Sequence, residues 1–317
     1  MPVLIGTDEA GYGPNLGPLV VTATTWHLPK ELSPDALKEC LREVVTDTSK
    51  RGETRLHIAD SKQVYSAGKT IAPLERGVLS FLKHLGMGHA SVGTLGHELA
   101  GPQFATDYAT VLNDIVPERF LPVAADDSEC EEMAGRLTQI LENVDVRLLK
   151  IESCIMFPPE FNAGVAETDS KGKVLSAATL SLVKSATDHP DADKDGWVVC
   201  DKHGGRNRYD DIISTAFDDA FVFRLEESGP RSRYRMNDLE FCFRSKAEEV
   251  LPVALASMVC KYVRETVMMQ FNAFWQHHLP NLKATKGYPQ DAKRFWEDIS
   301  AKAAELGVEK SAIWRVR

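Results

Sequence analysis

The chain has 317 residues, 43% hydrophobic and 26% charged, ordinary globular usage that excludes a disordered, collagen-like or disulfide-scaffold protein. A chain this long buries roughly three quarters of its unfolded surface and supports a core without staples. The 37 basic and 46 acidic residues leave a net charge of −9, which argues against a coat protein for nucleic acid but leaves room for an enzyme that grips a polyanion locally.

In chain order, Val3–Thr7 and Leu19–Trp26 read as strands on either side of a turn-rich Gly11–Pro18 loop. Ser33-Pro-Asp starts a helix, and Thr46–Gly52 is a polar loop. Helical patterns follow at Ile71–Leu85, Gln103–Val116 and Ser128–Leu141. Val144–Met156 alternates as a strand, with a slip between Leu148 and Ile151, and Gly172–Ala186 is helical. Trp197–Cys200 is a short buried strand ending at Asp201. A basic glycine loop (Lys202–Arg208) and a helix to Phe217 come next, then strands at Phe221–Leu225, Ser232–Met236 and Leu239–Arg244. Helices at Pro252–Phe274 and Pro289–Leu306 close the chain. This order predicts an α/β fold, a single domain over residues 1–317 whose C-terminal part, from about residue 250, is helical. Residues 251–317 carry ten Lys/Arg against six Asp/Glu, so an anionic partner is expected there.

None of the six cysteines forms a CxxC pair. Cys154, Cys200, Cys242 and Cys260 sit among apolar neighbours and are expected to be buried, reduced thiols in the cytoplasm. The N-terminus lacks the basic start of a signal peptide, and no 18-residue apolar stretch predicts a membrane span.

Asp8-Glu9 ends the first strand just before Gly11 and Gly13. Most Asp-Glu pairs are solvated acidic turns. Here two adjacent carboxylates beside a glycine loop point to a hard divalent cation, because crowded like charges otherwise suppress ionisation. The glycine spacing, G-x-G-x3-G before a strand, does not fit a dinucleotide loop. Asp201 reads locally as a turn residue beside a phosphate-facing loop of Lys202, His203, Arg206 and Arg208. Glu248, before the long helix, reads locally as a favourable N-terminal charge. Arg231-Ser-Arg-Tyr-Arg235 reads as a solvated strand edge as readily as a nucleic-acid stripe. Of the nine histidines, His203 is a candidate proton-transfer group.

Five blocks in order resemble the type 2 ribonuclease H family (ribonuclease HII-like). They are Gly6-Thr-Asp-Glu-Ala-Gly-Tyr-Gly-Pro-Asn-Leu-Gly-Pro-Leu-Val-Val21, Ala59-Asp-Ser-Lys62, Val198-Val-Cys-Asp201, Lys246-Ala-Glu248 with its following helix, and Lys286-Gly-Tyr-Pro-Gln-Asp291. The resemblance implies a ribonuclease H-like mixed sheet flanked by helices. It implies a carboxylate cluster of Asp8, Glu9, Asp201 and Glu248, with Glu249 as the alternative fourth acid, since the spacing to Ser257 is one residue short. Glu265 matches a common acidic position and is not expected to be a ligand. Such a cluster suits two Mg²⁺ or Mn²⁺ ions, which activate water and stabilise the leaving 3′-oxygen in an in-line displacement.

The implied activity is an endoribonuclease that cuts RNA in RNA/DNA hybrids, or ribonucleotides embedded in duplex DNA, leaving 5′-phosphate and 3′-hydroxyl ends. Gly11, Tyr12 and Gly13 would contact the 2′-hydroxyl and Tyr288 would stack at the junction ribonucleotide. The family usually carries Arg or Lys where this chain has Tyr12, a loss that Lys62, Arg206 or Arg208 could offset. A monomer without a membrane partner is expected. Two other readings are a catalytically idle nucleic-acid-binding relative and a metal nuclease with a DNA substrate.

Overall fold

The structure, a computed structural model, describes residues 1–68, 70–112 and 117–316. The first half runs β1 (Val3–Ala10), β2 (Leu19–His27), α1 (Leu37–Cys40), β3 (Val45–Thr46), β4 (Leu56–His57), α2 (Ser61–Gly68), α3 (Ala72–His84), α4 (Val92–Ala100), α5 (Gln103–Leu112) and α6 (Asp127–Asn143). It continues with β5 (Arg147–Met156), α7 (Pro158–Thr168), α8 (Lys171–Thr187), β6 (Gly196–Asp201), α9 (Asp210–Ala216), β7 (Phe223–Glu227), β8 (Arg231–Met236) and β9 (Leu239–Arg244). Three helices close the chain: α10 (Leu251–His278), α11 (Pro289–Glu305) and α12 (Lys310–Ile313).

Seven strands form one mixed sheet in the order β5-β2-β1-β6-β9-β8-β7. β1 is antiparallel to β2 and parallel to β6, and β6 is parallel to β9. Alternation along β1 sorts its side chains between two cores. Leu4 joins one with α3, α6 and α10, whereas Val3 and Ile5 join another with α8 and α9. The sheet is therefore covered on both faces, as its parallel centre requires. The mixed sheet flanked by helices is the expected architecture. At Gly6 a Cβ would sit 2.4 Å from that of Pro252, so glycine lets the start of α10 lie directly on β1.

The expected Leu148–Ile151 slip is a bulge: Thr25 faces Lys150 while Trp26 faces Leu148, which leaves Leu149 unpaired. β7 starts two residues later than expected, because Phe221 lies outside the ladder, 73% exposed, with its ring edge-on to that of Phe223. Residues 113–116 of the expected Gln103–Val116 helix lie outside the described residues. All six cysteines are free, but Cys154 and Cys242 are only half-buried: Cys154 packs at the margin of the core that takes Cys200 and Phe243, and strand alternation turns Cys242 away from it. Among the described residues no helix is long and apolar enough to cross a membrane.

Candidate functional site

Parallel neighbours end at the same side of a sheet, and ligands of α/β folds gather outside those carboxyl ends. The β1–β6 register pairs Thr7 with Cys200, so the next residues, Asp8 and Asp201, leave the sheet side by side. One oxygen from each of Asp8, Glu9 and Asp201 falls within a 4.8 Å cluster. β9 runs parallel to β6 with Arg244 opposite Asp201. It turns through Lys246, in the left-handed region at φ 59°, into a short 3-10 turn over Ala247–Glu249. That turn puts Glu248 on the wall of the same cavity, about 250 Å³ in volume, along with the three clustered acids, Lys62 and Tyr288. Glu249 points elsewhere, pairing with Arg244 at 2.6 Å. Glu265 pairs with Lys261.

The donors to the acids are neutral groups: Ser257 donates to Asp8, and the Lys202 and Ala247 amides donate to Asp201. Asp8 Oδ1 accepts from the Glu9 amide at 2.8 Å. Burial pushes the Asp8 carboxyl well up, and the charge of Glu9 adds to it. Glu9 is pushed up to about 7, first by burial and then by Asp201, with Lys62 opposing. Burial also raises Asp201 and Glu248, and Asp60 adds its charge at Glu248. Carboxyls kept from ionising by burial and by one another's charge, with three oxygens within 4.8 Å, fit hard divalent cations.

The loop after β1 is shaped by Gly11. Its φ is +94°, and a Cβ there would sit 2.5 Å from the Pro18 carbonyl oxygen, so only glycine fits. At Gly13 a Cβ would meet nothing within 4 Å, leaving that backbone open to an approaching ligand. Tyr12 lines the cavity and turns its ring under the Lys171 ammonium, 4.7 Å from the ring centroid. Tyr288 is 56% exposed at the cavity rim.

Lys62 reaches the cavity because Asp60 starts α2, its Oδ1 accepting from the Lys62 and Gln63 amides at 2.8 and 3.2 Å. Arg206 stands off the cavity wall, although its charge is felt at the Tyr12 hydroxyl. Arg208 pairs with Glu227, and Arg231 and Arg233 pair with Glu226 and Glu240.

His203 is a core residue. It is 5% exposed, edge-on to Tyr209 and Phe243, with Nδ1 2.9 Å from Ser176 Oγ. Burial pushes its imidazole down to about 3, so it is neutral at working pH and sealed from any leaving group. Lys171 and Arg264 carry no mark in the sequence as neighbours of the cavity: Lys171 comes from α8, far along the chain, and Arg264 looks like an ordinary position on an apolar helix.

No family model matches the chain, and no curated protein matches it. Among solved structures the chain is similar to RNase HII in a complex with PCNA from Archaeoglobus fulgidus, at 13% identity and TM-score 0.42, over 99% of this chain and 94% of that one. It is similar to ribonuclease H2 from Pyrococcus horikoshii OT3, at 13% identity and TM-score 0.46, over 98% and 92%. A third likeness is to Bst-RNase HIII in complex with Mn²⁺, at 13% identity and TM-score 0.43, over 99% and 66%. All three neighbours are ribonucleases H by name.

Proposed function

We propose that this chain is a divalent-metal-dependent endoribonuclease acting on RNA paired with DNA, or on ribonucleotides within duplex DNA, and leaving 5′-phosphate and 3′-hydroxyl ends. The observation that carries this reading is the convergence of Asp8, Glu9 and Asp201 oxygens within 4.8 Å, in a cavity that also takes in Glu248 and the glycine loop. Asp8, Glu9, Asp201 and Glu248 would hold Mg²⁺ or Mn²⁺. Bound there, such ions supply Lewis-acid stabilisation of charge at the phosphate and lower the pKa of water.

The chain's own groups orient the substrate. Lys62 sets a positive charge on the cavity wall where a phosphate oxygen can dock. The Gly11-Tyr12-Gly13 backbone offers amide donors to a ribose 2′-hydroxyl, the group that separates RNA from DNA. Tyr288 presents a ring at the rim for stacking. Lys171, held over Tyr12, brings a cation to the loop where the family usually has one.

The test is substitution with the fold monitored. Asp8→Asn and Asp201→Asn should keep the wild-type circular dichroism spectrum and lose cleavage of an RNA·DNA hybrid by about 10³-fold, the scale of several kcal/mol of lost metal stabilisation. A folded Asp8→Asn protein that cuts at the wild-type rate removes the reading.

A further inference from the structure

The last residues of the chain fold back beneath the glycine loop. Trp314 bridges Leu16 in the antiparallel sense. The Arg315 amide donates to the Asn15 carbonyl at 2.7 Å, and Asn15 Nδ2 donates back to the Arg315 carbonyl at 3.0 Å. Asn162 of α7 holds the same segment from the other side, donating to the Trp314 carbonyl at 2.9 Å and accepting from the Val316 amide at 2.8 Å. The tail is thus pinned without help from the Arg315 side chain.

That side chain does something else. It is 1% exposed, and its Nη2 donates to the carbonyls of Gly11 and Pro14, the latter at 2.5 Å. Its guanidinium lies 4.9 Å from the Phe161 ring centroid. Among the described residues it has no carboxylate partner, and Nε and Nη1 have no hydrogen-bond partner. Burying a cation so incompletely matched is costly, and an apolar side chain of similar size commonly serves stability as well or better. What a guanidinium adds is a grip on two carbonyls that bracket Tyr12 and Gly13.

The peptide unit is planar and trans, so its carbonyl and amide point in opposite directions. Tying the Gly11 carbonyl back to Arg315 therefore turns the Tyr12 N–H away from Arg315. Arg315 does not line the cavity, whereas Gly11, Tyr12 and Gly13 do. Arg264, 5% exposed, completes the arrangement. It donates to the Leu16, Pro18 and Lys286 carbonyls at 3.1, 2.9 and 3.0 Å, joining the glycine loop to the turn that carries Tyr288.

We infer that Arg315 is a positioning residue for ribose recognition: it sets the Gly11–Tyr12 peptide so that the Tyr12 amide donates to a 2′-hydroxyl in the cavity. The C-terminal segment thereby takes part in choosing RNA over DNA. This inference rests on the proposed ribonuclease reading.

The test compares full-length wild type, Arg315→Met and Arg315→Lys. Dissociation constants are measured for a duplex with one ribonucleotide and for the same duplex in all-DNA form, with Ca²⁺, a hard oxygen-binding cation, as the probe ion. Thermal melts run in parallel. Arg315→Met should melt within about 4 °C of wild type and bind the all-DNA duplex within about twofold, while its preference for the ribonucleotide duplex falls about tenfold, as a displaced donor requires. Arg315→Lys, which can still donate to both carbonyls, should recover most of that preference. An Arg315→Met protein with wild-type preference overturns the inference. So does a loss of affinity that is equal for both duplexes and follows the melting temperature in both variants, for that is a purely structural role. Failure of the parent reading shows separately, as a wild-type protein with no preference for the ribonucleotide duplex and no metal-dependent cleavage of it.

Discussion

Two carboxylate sites, one fully buried and one half-buried, border α10, and they differ in their donors. Glu75 on α3 is fully buried. It accepts from the amides of Val123, Ala124 and Ala125 at 2.6, 2.7 and 2.8 Å, and from the Tyr262 hydroxyl at 2.6 Å. Burial pushes that hydroxyl strongly up, so it stays protonated and donates. The site is closed, and its product is a loop fastened to two helices. At the end of β1 the acids face one another instead, with the Glu9 amide and Ser257 on Asp8, the Lys202 and Ala247 amides on Asp201, and a cavity in front. The same functional group thus makes a structural staple where four donors close round it, and an open acidic cluster, the proposed cation site, where fewer do.

The largest expected effect breaks the closed site. Glu75→Ala strands three amides and a hydroxyl, and should cost about 3–5 kcal/mol in chemical denaturation, while the protein that remains folded cleaves hybrid with wild-type KM. If Glu75→Ala instead spares stability and removes activity, the two sites have been assigned the wrong way round.

A pH titration of stability in chelator sharpens the contrast. Glu9 has its folded value raised from 4.5 to about 7, so between those values the folded state holds more protons than the unfolded one. Stability of the metal-free protein should therefore be greatest below pH 4.5 as far as this group is concerned. It should fall as pH rises towards about 7, by about 3 kcal/mol. His203 works in the opposite sense. Its folded value, lowered from 6.5 to about 3, supplies stability that is present above 6.5 and lost as pH falls towards 3. Melts of His203→Gln against wild type separate the two. Added Mn²⁺ should raise the melting temperature more at pH 8 than at pH 6, because the ligands must first lose their protons.

Next in size is the choice between neighbours. Glu248→Gln should lower kcat by about 10²-fold, whereas Glu249→Gln, which breaks only the exposed pair with Arg244, should stay within about twofold. The reverse result would move the fourth acid to Glu249. The smallest effect belongs to the rim. Lys171→Ala should raise KM about threefold and reduce the salt dependence of binding by about one charge.

The open site was far more legible than the closed one. Short apolar strands ending in Asp8-Glu9 and Asp201 mark the sheet's carboxyl edge, and the ordered motifs add Glu248, Lys62 and Tyr288. Glu75 carries no such mark, because its partners lie 48 to 187 residues away along the chain. The contact of Arg315 with Gly11 spans 304 residues. Helices α2, α4 and α7 lack a legible apolar period for a local reason. α2 is mostly polar, α4 carries Gly93 and Gly96, and α7 opens on Pro158-Pro159 with Gly164 within, so glycine, proline and polarity blur the apolar period. Capping residues were the available signal: Ser91 at α4 accepts from the Thr94 amide, and Asp60 plays the same part at α2.

The most direct measurement incubates the protein with an RNA·DNA hybrid and with all-DNA duplex of the same sequence, in Mg²⁺, in Mn²⁺ and in chelator. Cuts are expected in the RNA strand alone, only with a divalent ion, and with 5′-phosphate ends. Equal cutting of the all-DNA duplex, or no cutting in either metal, would contradict the proposed function.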